Sequence, residues 1–169
     1  KPFGAEIAYR QIESMYDGNF IQDKKQNFKD TWDNISDTGS LYICMAPRLF
    51  VTEEDVEAMM EYVYAGNSLF ISSGSIDELL LDEVGCSAVY TSPAVENMVG
   101  KKQSTNVFSA LQPEFKYGYY YYPFENFFTG LDSSNTRVLG YNDSKKPNSI
   151  VYFYGKGRLY LQCEPRAYS

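Results

Sequence analysis

The stretch Leu41–Gly74, LYICMAPRLFVTEEDVEAMMEYVYAGNSLFISSG, constrains the fold more than any other part of the chain. It reads as strand, helix and strand with almost no slack between them. Leu41–Ala46 is a nearly unbroken apolar run, the form of a strand covered by helices on both faces of a parallel sheet, which places it centrally. A turn at Pro47 follows. Thr52 then stands where a helix N-cap belongs, Asp55 three residues on completes the spacing of a capping box, and Val51 and Val56 occupy hydrophobic-staple positions. Val56, Met59, Met60 and Val63 recur at i, i+3, i+4 and i+7, so one helix face is apolar and Glu53, Glu54, Glu57 and Glu61 mostly turn to water. Gly66 ends the helix by entering the left-handed region at little cost. Ser68–Ser72 is a second apolar strand, so close behind that the chain can only cross back onto the same sheet. The unit is βαβ, and such crossovers are almost always right-handed.

At 169 residues and 19.3 kDa the chain is most simply one domain, residues 1–169, able to bury roughly 70% of its unfolded surface. The net charge is −7, the isoelectric point is near 4.6, and Lys and Arg are scattered, which argues against nucleic acid as a partner. No run approaches the ~18 apolar residues of a membrane span, and neither a signal peptide nor a starting Met is present. The chain reads as the mature soluble part of a longer protein. Histidine is absent, which removes Ser-His-Asp and Cys-His catalysis and His-ligated metals together. Cys44, Cys86 and Cys163 show no CxxC spacing, so neither a zinc site nor a disulfide framework is expected, and no cofactor is implied. Cys44 reads as a small hydrophobe within its strand. An oxidising compartment would permit a Cys86–Cys163 pair only if geometry allowed it.

In chain order, Pro2 sits near the start of a first helix whose stripe is Ala5, Ala8, Ile12 and Met15, with Asp17-Gly18 as its stop. A doubly wound fold would normally place a strand before it, and none is visible. Phe20-Ile21 suits a short edge strand. Asp23–Ser40 is a polar loop holding Trp32, which reads as its anchor to the body. Ser75 and Glu78 repeat the capping-box spacing before Leu79-Leu80-Leu81, a helix stopped near Gly85. Ser87–Thr91 reads as a strand, and Ser92–Ser104 as an exposed loop. From Thr105 the period becomes strand-like, through Asn106–Ala110, the aromatic region, Thr136–Tyr141, Ser149–Tyr154 and Arg158–Cys163. Gly155-Lys156-Gly157 makes the last two a hairpin, which adds antiparallel strands to the sheet.

Two stretches are candidate sites. Ser72-Ser73-Gly74-Ser75 lies where a parallel strand ends and a helix opens, the place at which open α/β sheets bind ligands and free N–H groups favour anions. It is neither a phosphate loop nor GxGxxG, and Ser75 has a capping role to play. As nucleophiles, Ser73 or Ser75 would need a Lys or carboxylate base, and no spacing singles one out. Phe115–Phe128, FKYGYYYYPFENFF, is aromatic at nine of fourteen positions. On a strand, Tyr119–Tyr122 must show two rings to each face, so Tyr119 and Tyr121 share one side and are candidates for a sugar or protein surface. The alternative is that these rings cover the sheet. The pairs Glu53-Glu54 and Asp82-Glu83 belong to helix ends and faces, in preference to a glycosidase pair or a metal site.

The opening KPFG with its amphipathic helix, the strand-helix-strand stretch, YYYYPFENFF, TRVLGY and the closing VYFYGKGRLYLQCEP together resemble the bacterial domain of unknown function 4350 over most of the chain. That resemblance implies a three-layer α/β/α sandwich, flavodoxin-like and similar to class I glutamine amidotransferases. Its central sheet would be mostly parallel, with an antiparallel hairpin near the C-terminus. It also implies a membrane-anchored envelope protein on the periplasmic or extracytoplasmic side, often encoded beside AAA-type ATPases and von Willebrand-type proteins. Its contact with the membrane would run only through an anchor outside this sequence. The amidotransferase nucleophile, a Cys on an elbow with a downstream His, has no match: Ser73-Gly74-Ser75 takes its place and no His exists. The expectation is therefore a non-catalytic binding or interaction domain with other envelope proteins as partners. A Ser-dependent hydrolase or amidase and a carbohydrate-binding domain are the alternatives.

Overall fold

The βαβ unit forms over the expected residues. In the computed structural model, β1 (Leu41–Ala46) and β2 (Ser68–Ser73) pair in parallel, with Leu41 opposite Ser68 and Ala46 opposite Ser73, and α3 (Glu53–Tyr64) crosses between them. The structure describes residues 6–16, 27–33, 38–91, 101–107, 115–121 and 125–165, without the side chains of 6–8, 101–107, 115–117 and 119–121. Thr52 and Asp55 close a reciprocal capping box: the Thr52 hydroxyl accepts the Asp55 N–H at 3.2 Å and the Asp55 carboxylate accepts the Thr52 N–H at 3.2 Å. Gly66 takes φ +108° just beyond the helix.

Before this unit lie α1 (Glu6–Met15) and α2 (Phe28–Trp32). Met15, expected on the apolar stripe of α1, is 75% exposed, and both Asp17-Gly18 and Phe20-Ile21 lie outside the described residues. The segment read as the polar loop 23–40 contains a helical turn, α2, because Asn27 caps it by accepting the Asp30 N–H at 2.9 Å. Phe28 meets Tyr42 and Tyr62 edge-on, with centroids 4.9 and 5.5 Å apart, and Trp32 packs on Tyr62 at 5.2 Å. The Asp55 carboxylate also accepts the Lys29 N–H, so one side chain caps α3 and holds α2 against it.

α4 (Glu78–Val84) follows β2 and ends at Gly85, which is left-handed at φ +72°. Its cap corrects the sequence reading. Asp77, not Ser75, accepts the Leu79 N–H, at 3.1 Å. β3 (Ser87–Val89) leaves the main sheet and pairs antiparallel with β6 (Phe127–Thr129). Of the loop expected over 92–104, residues 101 onward belong to β4 (Lys101–Val107), which pairs with β5 (Phe115–Tyr121). β7 (Thr136–Asn142), β8 (Pro147–Tyr154) and β9 (Gly157–Gln162) complete the main sheet.

Among the described residues that sheet has seven strands, in the order β1-β2-β9-β8-β7-β4-β5. Only β1–β2 and β2–β9 are parallel, so the sheet is mixed and not mostly parallel as expected. β1, expected to be central, is an edge strand among the described residues, and Leu41 is 44% exposed. The closing strand takes the central position, inserted beside β2 with Leu69 opposite Leu159 and Ile71 opposite Leu161. These four residues are fully buried with Ile150 under Met59, Val63, Leu80, Leu81 and Phe128 in one core. Each contributes about 1.5–3 kcal/mol by leaving water.

The β8–β9 hairpin is set by two glycines with different reasons. Gly155 turns the chain at φ +58°. Gly157 lies so close to the carbonyl oxygens of Val63 and Asn67 at the end of α3 that a Cβ there would collide with backbone. This close approach lets the hairpin slide under α3 and place β9 in the middle of the sheet.

Candidate functional site

The carboxyl ends of β1, β2 and β9 come together at one edge, and Ser72–Ser75 lie there as expected of a strand leading into a helix. What the structure builds at that edge closes over Ser72 and Ser73 and leaves Gly74 and Ser75 half-buried. Ser72 and Ser73 are fully buried. The Ser72 hydroxyl donates to Gln162 Oε1 at 2.9 Å, across the β2–β9 pair. The Ser73 hydroxyl donates to the Ser75 carbonyl at 2.8 Å and accepts the Ser75 N–H at 3.4 Å. Gly74 passes the β1 turn so closely that a Cβ would sit 2.9 Å from the Pro47 carbonyl oxygen. The Leu49 N–H donates to the Ser75 carbonyl at 2.8 Å and fastens that turn in place.

The segment after the tyrosines completes the seal. Asn126, buried, donates through Nδ2 to the carbonyls of Gly74 at 3.3 Å and Cys163 at 3.1 Å, and its Oδ1 accepts the Thr91 N–H at 3.0 Å. The Tyr90 hydroxyl accepts the Ile76 N–H at 2.7 Å and donates to the Ile76 carbonyl at 3.1 Å. Anion capture at the start of α4 is also pre-empted, since the Asp77 carboxylate supplies the negative group for that helix start itself. The hydrogen bonds of Ser72 and Ser73 run to an amide and to backbone, with no Lys or carboxylate among these partners to draw off a proton.

The cysteines are equally unsuited to nucleophilic work. All three are free. Burial pushes the Cys44 thiol above its ordinary value, and burial, with the Asp82 charge adding to it, pushes Cys86 up to about 11. Cys163 is fully buried with its thiol 3.4 Å from the Asn148 carbonyl. Among the described residues, no cluster of Cys, Asp and Glu is arranged to hold a metal ion, and no helix is long and apolar enough to cross a membrane. The side chains of Tyr119 and Tyr121 lie outside the described residues; their backbone is in β5, at the far end of the sheet from β1. Among the described residues, Asn126 links the two candidate stretches through its bond to the Gly74 carbonyl.

An open groove lies elsewhere on the surface. About 600 Å³ in volume, it runs between α3 and α4, lined by Val56, Met60, Tyr64, Leu79 and Tyr154 together with Glu53, Glu57, Glu61 and Glu83. A smaller cavity of about 160 Å³ lies under Phe50, between Phe28, Tyr42, Cys44 and Met59. The glutamates were legible as a solvent face. That they wall a groove needed the position of α4, and Asn126, Gln162 and Tyr90 carry no local pattern by which their roles could be read.

No family model and no curated protein matches the chain. Solved structures similar to it include a GH42 β-galactosidase from G. stearothermophilus, with TM-score 0.49 and 16% identity over 72% of this chain and 18% of that one. Another is a β-galactosidase from Bacillus circulans sp. alkalophilus, with TM-score 0.47 and 14% identity over 74% and 20%. A cytoplasmic protein of Salmonella typhimurium has TM-score 0.43 and 12% identity over 82% of this chain and 64% of its own. The chain spans about a fifth of the length of the two β-galactosidases.

Proposed function

We propose that this chain is a non-catalytic binding domain of a bacterial envelope protein, built on an amidotransferase-like core reduced to β1, α3, β2, α4 and β9. The observation that carries the reading is the sealed carboxyl edge. The position at which such a sheet would hold its nucleophile presents two fully buried serines whose hydroxyls are committed to Gln162 and to the Ser75 carbonyl. A serine in that state offers neither access for a substrate nor an activating base. Three parallel strands, of which β1 and β2 are linked through α3, support the amidotransferase-like and flavodoxin-like part of the reading, with the antiparallel strands as an extension of it. The envelope location and envelope partners rest on the resemblance of the KPFG opening and the GKG hairpin.

The test is covalent labelling with a serine-directed fluorophosphonate, read by intact mass. The expected result is no adduct on the folded protein. An adduct that disappears in Ser73→Ala or Ser75→Ala would overturn the proposal in favour of a Ser-dependent hydrolase.

A further inference from the structure

The groove between α3 and α4 has a chemistry of its own. Along α3, Glu53, Glu57 and Glu61 form one row at steps of four and Val56, Met60 and Tyr64 a second row three residues on, so the two rows lie side by side as a single stripe on one side of the helix. Leu79 and Glu83, four apart on α4, face it from the other wall, and Tyr154 at the end of β8 closes one end against Tyr64, ring centroids 5.5 Å apart. The stripe is apolar at its base, with Val56 and Met60 buried, while Leu79 and Tyr64 remain open to water at 40% and 61%. Its rim is four carboxylates, and among the described residues no Lys or Arg lines it.

Helix stability does not account for that rim. Acidic residues favour the first turn of a helix and disfavour the last, yet Glu57 and Glu61 continue the row to the C-terminal turn of α3, which carries no basic residue of its own, although Lys156 of the β8–β9 turn approaches the helix end through its N–H on the Tyr64 carbonyl. Glu53, Glu57 and Glu61 repeat at i, i+4, a spacing at which like charges repel. By contrast Glu54, off the groove, has a partner in Lys29 at 2.6 Å.

We propose that this groove docks a basic amphipathic helix of a partner protein, which takes the place of a third helix beside α3 and α4. The inference rests on the reading of this chain as a binding domain but names a surface that the sealed strand edge does not involve. Charge complementarity selects the occupant. Apolar residues at i, i+3, i+4 and i+7 of the partner seat on Val56, Met60 and Leu79, flanking Lys or Arg meet Glu53, Glu57, Glu61 and Glu83, and a cation at one end stacks on Tyr64 or Tyr154. The eleven steps from Glu53 to Tyr64 span roughly 16 Å, about three turns, so a segment of roughly a dozen residues fills it. The described helices of this chain do not supply such a segment: α1 carries one Arg and two Glu, and α2 one Lys and one Asp.

The experiment titrates the whole chain with a 14-residue peptide of leucine and lysine in helical arrangement. Heat and backbone amide shifts are read at about 50 and 300 mM salt, where screening differs strongly. The glutamine-for-lysine peptide, Glu57→Lys/Glu61→Lys and Glu54→Gln serve as comparisons, with circular dichroism reporting that the variants are folded. The expected result is binding that shifts amides of Glu53–Tyr64 and Leu79–Val84 and weakens at the higher salt. It should fall about tenfold or more with the double variant or the glutamine peptide, and stay unchanged in Glu54→Gln. No binding at millimolar peptide, equal binding by the double variant, or shifts confined to another surface would overturn it. Spermine binding as tightly as the peptide would assign the groove to a polyamine, and self-association abolished by Glu57→Lys/Glu61→Lys would assign it to a second copy. Either result overturns the helical partner while leaving the fluorophosphonate outcome, and with it the non-catalytic reading, untouched.

Discussion

Asn126→Ala tests the sealed edge most directly, because one side chain there holds three separate pieces of backbone. Asn126 is 5% exposed, and truncation removes its bonds to the Gly74 carbonyl, the Cys163 carbonyl and the Thr91 N–H. Net contributions of about 0.5–1.5 kcal/mol per bond, with buried groups left unpaired toward the upper end, give about 3 kcal/mol after discounting the longer 3.3 Å contact to Gly74. A domain of this size loses about 2–4 °C of Tm per kcal/mol, so the melting point should fall by about 6–12 °C. Urea denaturation followed by circular dichroism and Trp32 fluorescence supplies the free energy. Asn126→Asp sharpens the test by keeping the shape and the acceptor for Thr91 while turning a second oxygen toward two carbonyls. A carboxyl in that place is held above its unfolded value of about 3.9, so the folded state keeps its proton where the unfolded chain has lost it. Stability of that variant relative to the parent therefore declines as pH rises above about 4, levelling off once the folded carboxyl has ionised. A loss under about 1 kcal/mol for Asn126→Ala, or an Asn126→Asp profile parallel to the parent from acid to neutral pH, would refute the reasoning.

Three further outcomes are expected. Gly157→Ala should cost about 3 kcal/mol or more, because its Cβ meets the Val63 and Asn67 carbonyls, whereas Gly130→Ala, left-handed but with open space around it, should cost only about 1–2 kcal/mol; comparable urea midpoints for the two variants would contradict this. At Asp55 burial raises the carboxyl, but hydrogen bonds from the Thr52 N–H, the Lys29 N–H and the Thr52 hydroxyl outweigh it and leave its pKa below the ordinary value. Its stabilisation is complete above the unfolded value of about 3.9 and is lost as pH falls through the lower folded value, so Asp55→Asn should flatten the acid limb of the stability profile, and an unchanged limb would count against the cap. Cys86, raised to about 11, is ionised to only about one part in a thousand at pH 8, so iodoacetamide should leave it unmodified in the folded protein and alkylate it promptly in urea, as mass spectrometry will show.

The parts of the fold that could be read from residues were those held by neighbours in sequence. The Thr52–Asp55 capping box, the Val56, Met59, Met60 and Val63 face, the Gly66 stop and the Gly155-Lys156 turn all depend on contacts within a few residues, and all formed as the pattern indicates. Where two local signals competed, the sequence reading chose wrongly: Ser75 and Asp77 both precede α4, and the closer carboxylate took the cap. Ser72 and Ser73 stood at the right strand end, but whether that end was open or closed depended on Gln162, Asn126 and Pro47, each from a different part of the chain.

Periodicity and capping alone determined that a βαβ unit exists here, with its boundaries, its parallel pairing and the antiparallel hairpin near the C-terminus, because those features follow from backbone geometry over short spans. Residue types alone excluded histidine chemistry. Strand order was decided only in three dimensions. An apolar run such as Leu41–Ala46 satisfies a central or an edge position equally, and the choice went to Gly157–Gln162 because only a glycine at the head of that strand let it pass beneath α3 and bury Leu159 and Leu161 against Leu69 and Ile71. The same packing brought α4 alongside α3 and turned a row of glutamates, unremarkable on a helix by itself, into the wall of a groove.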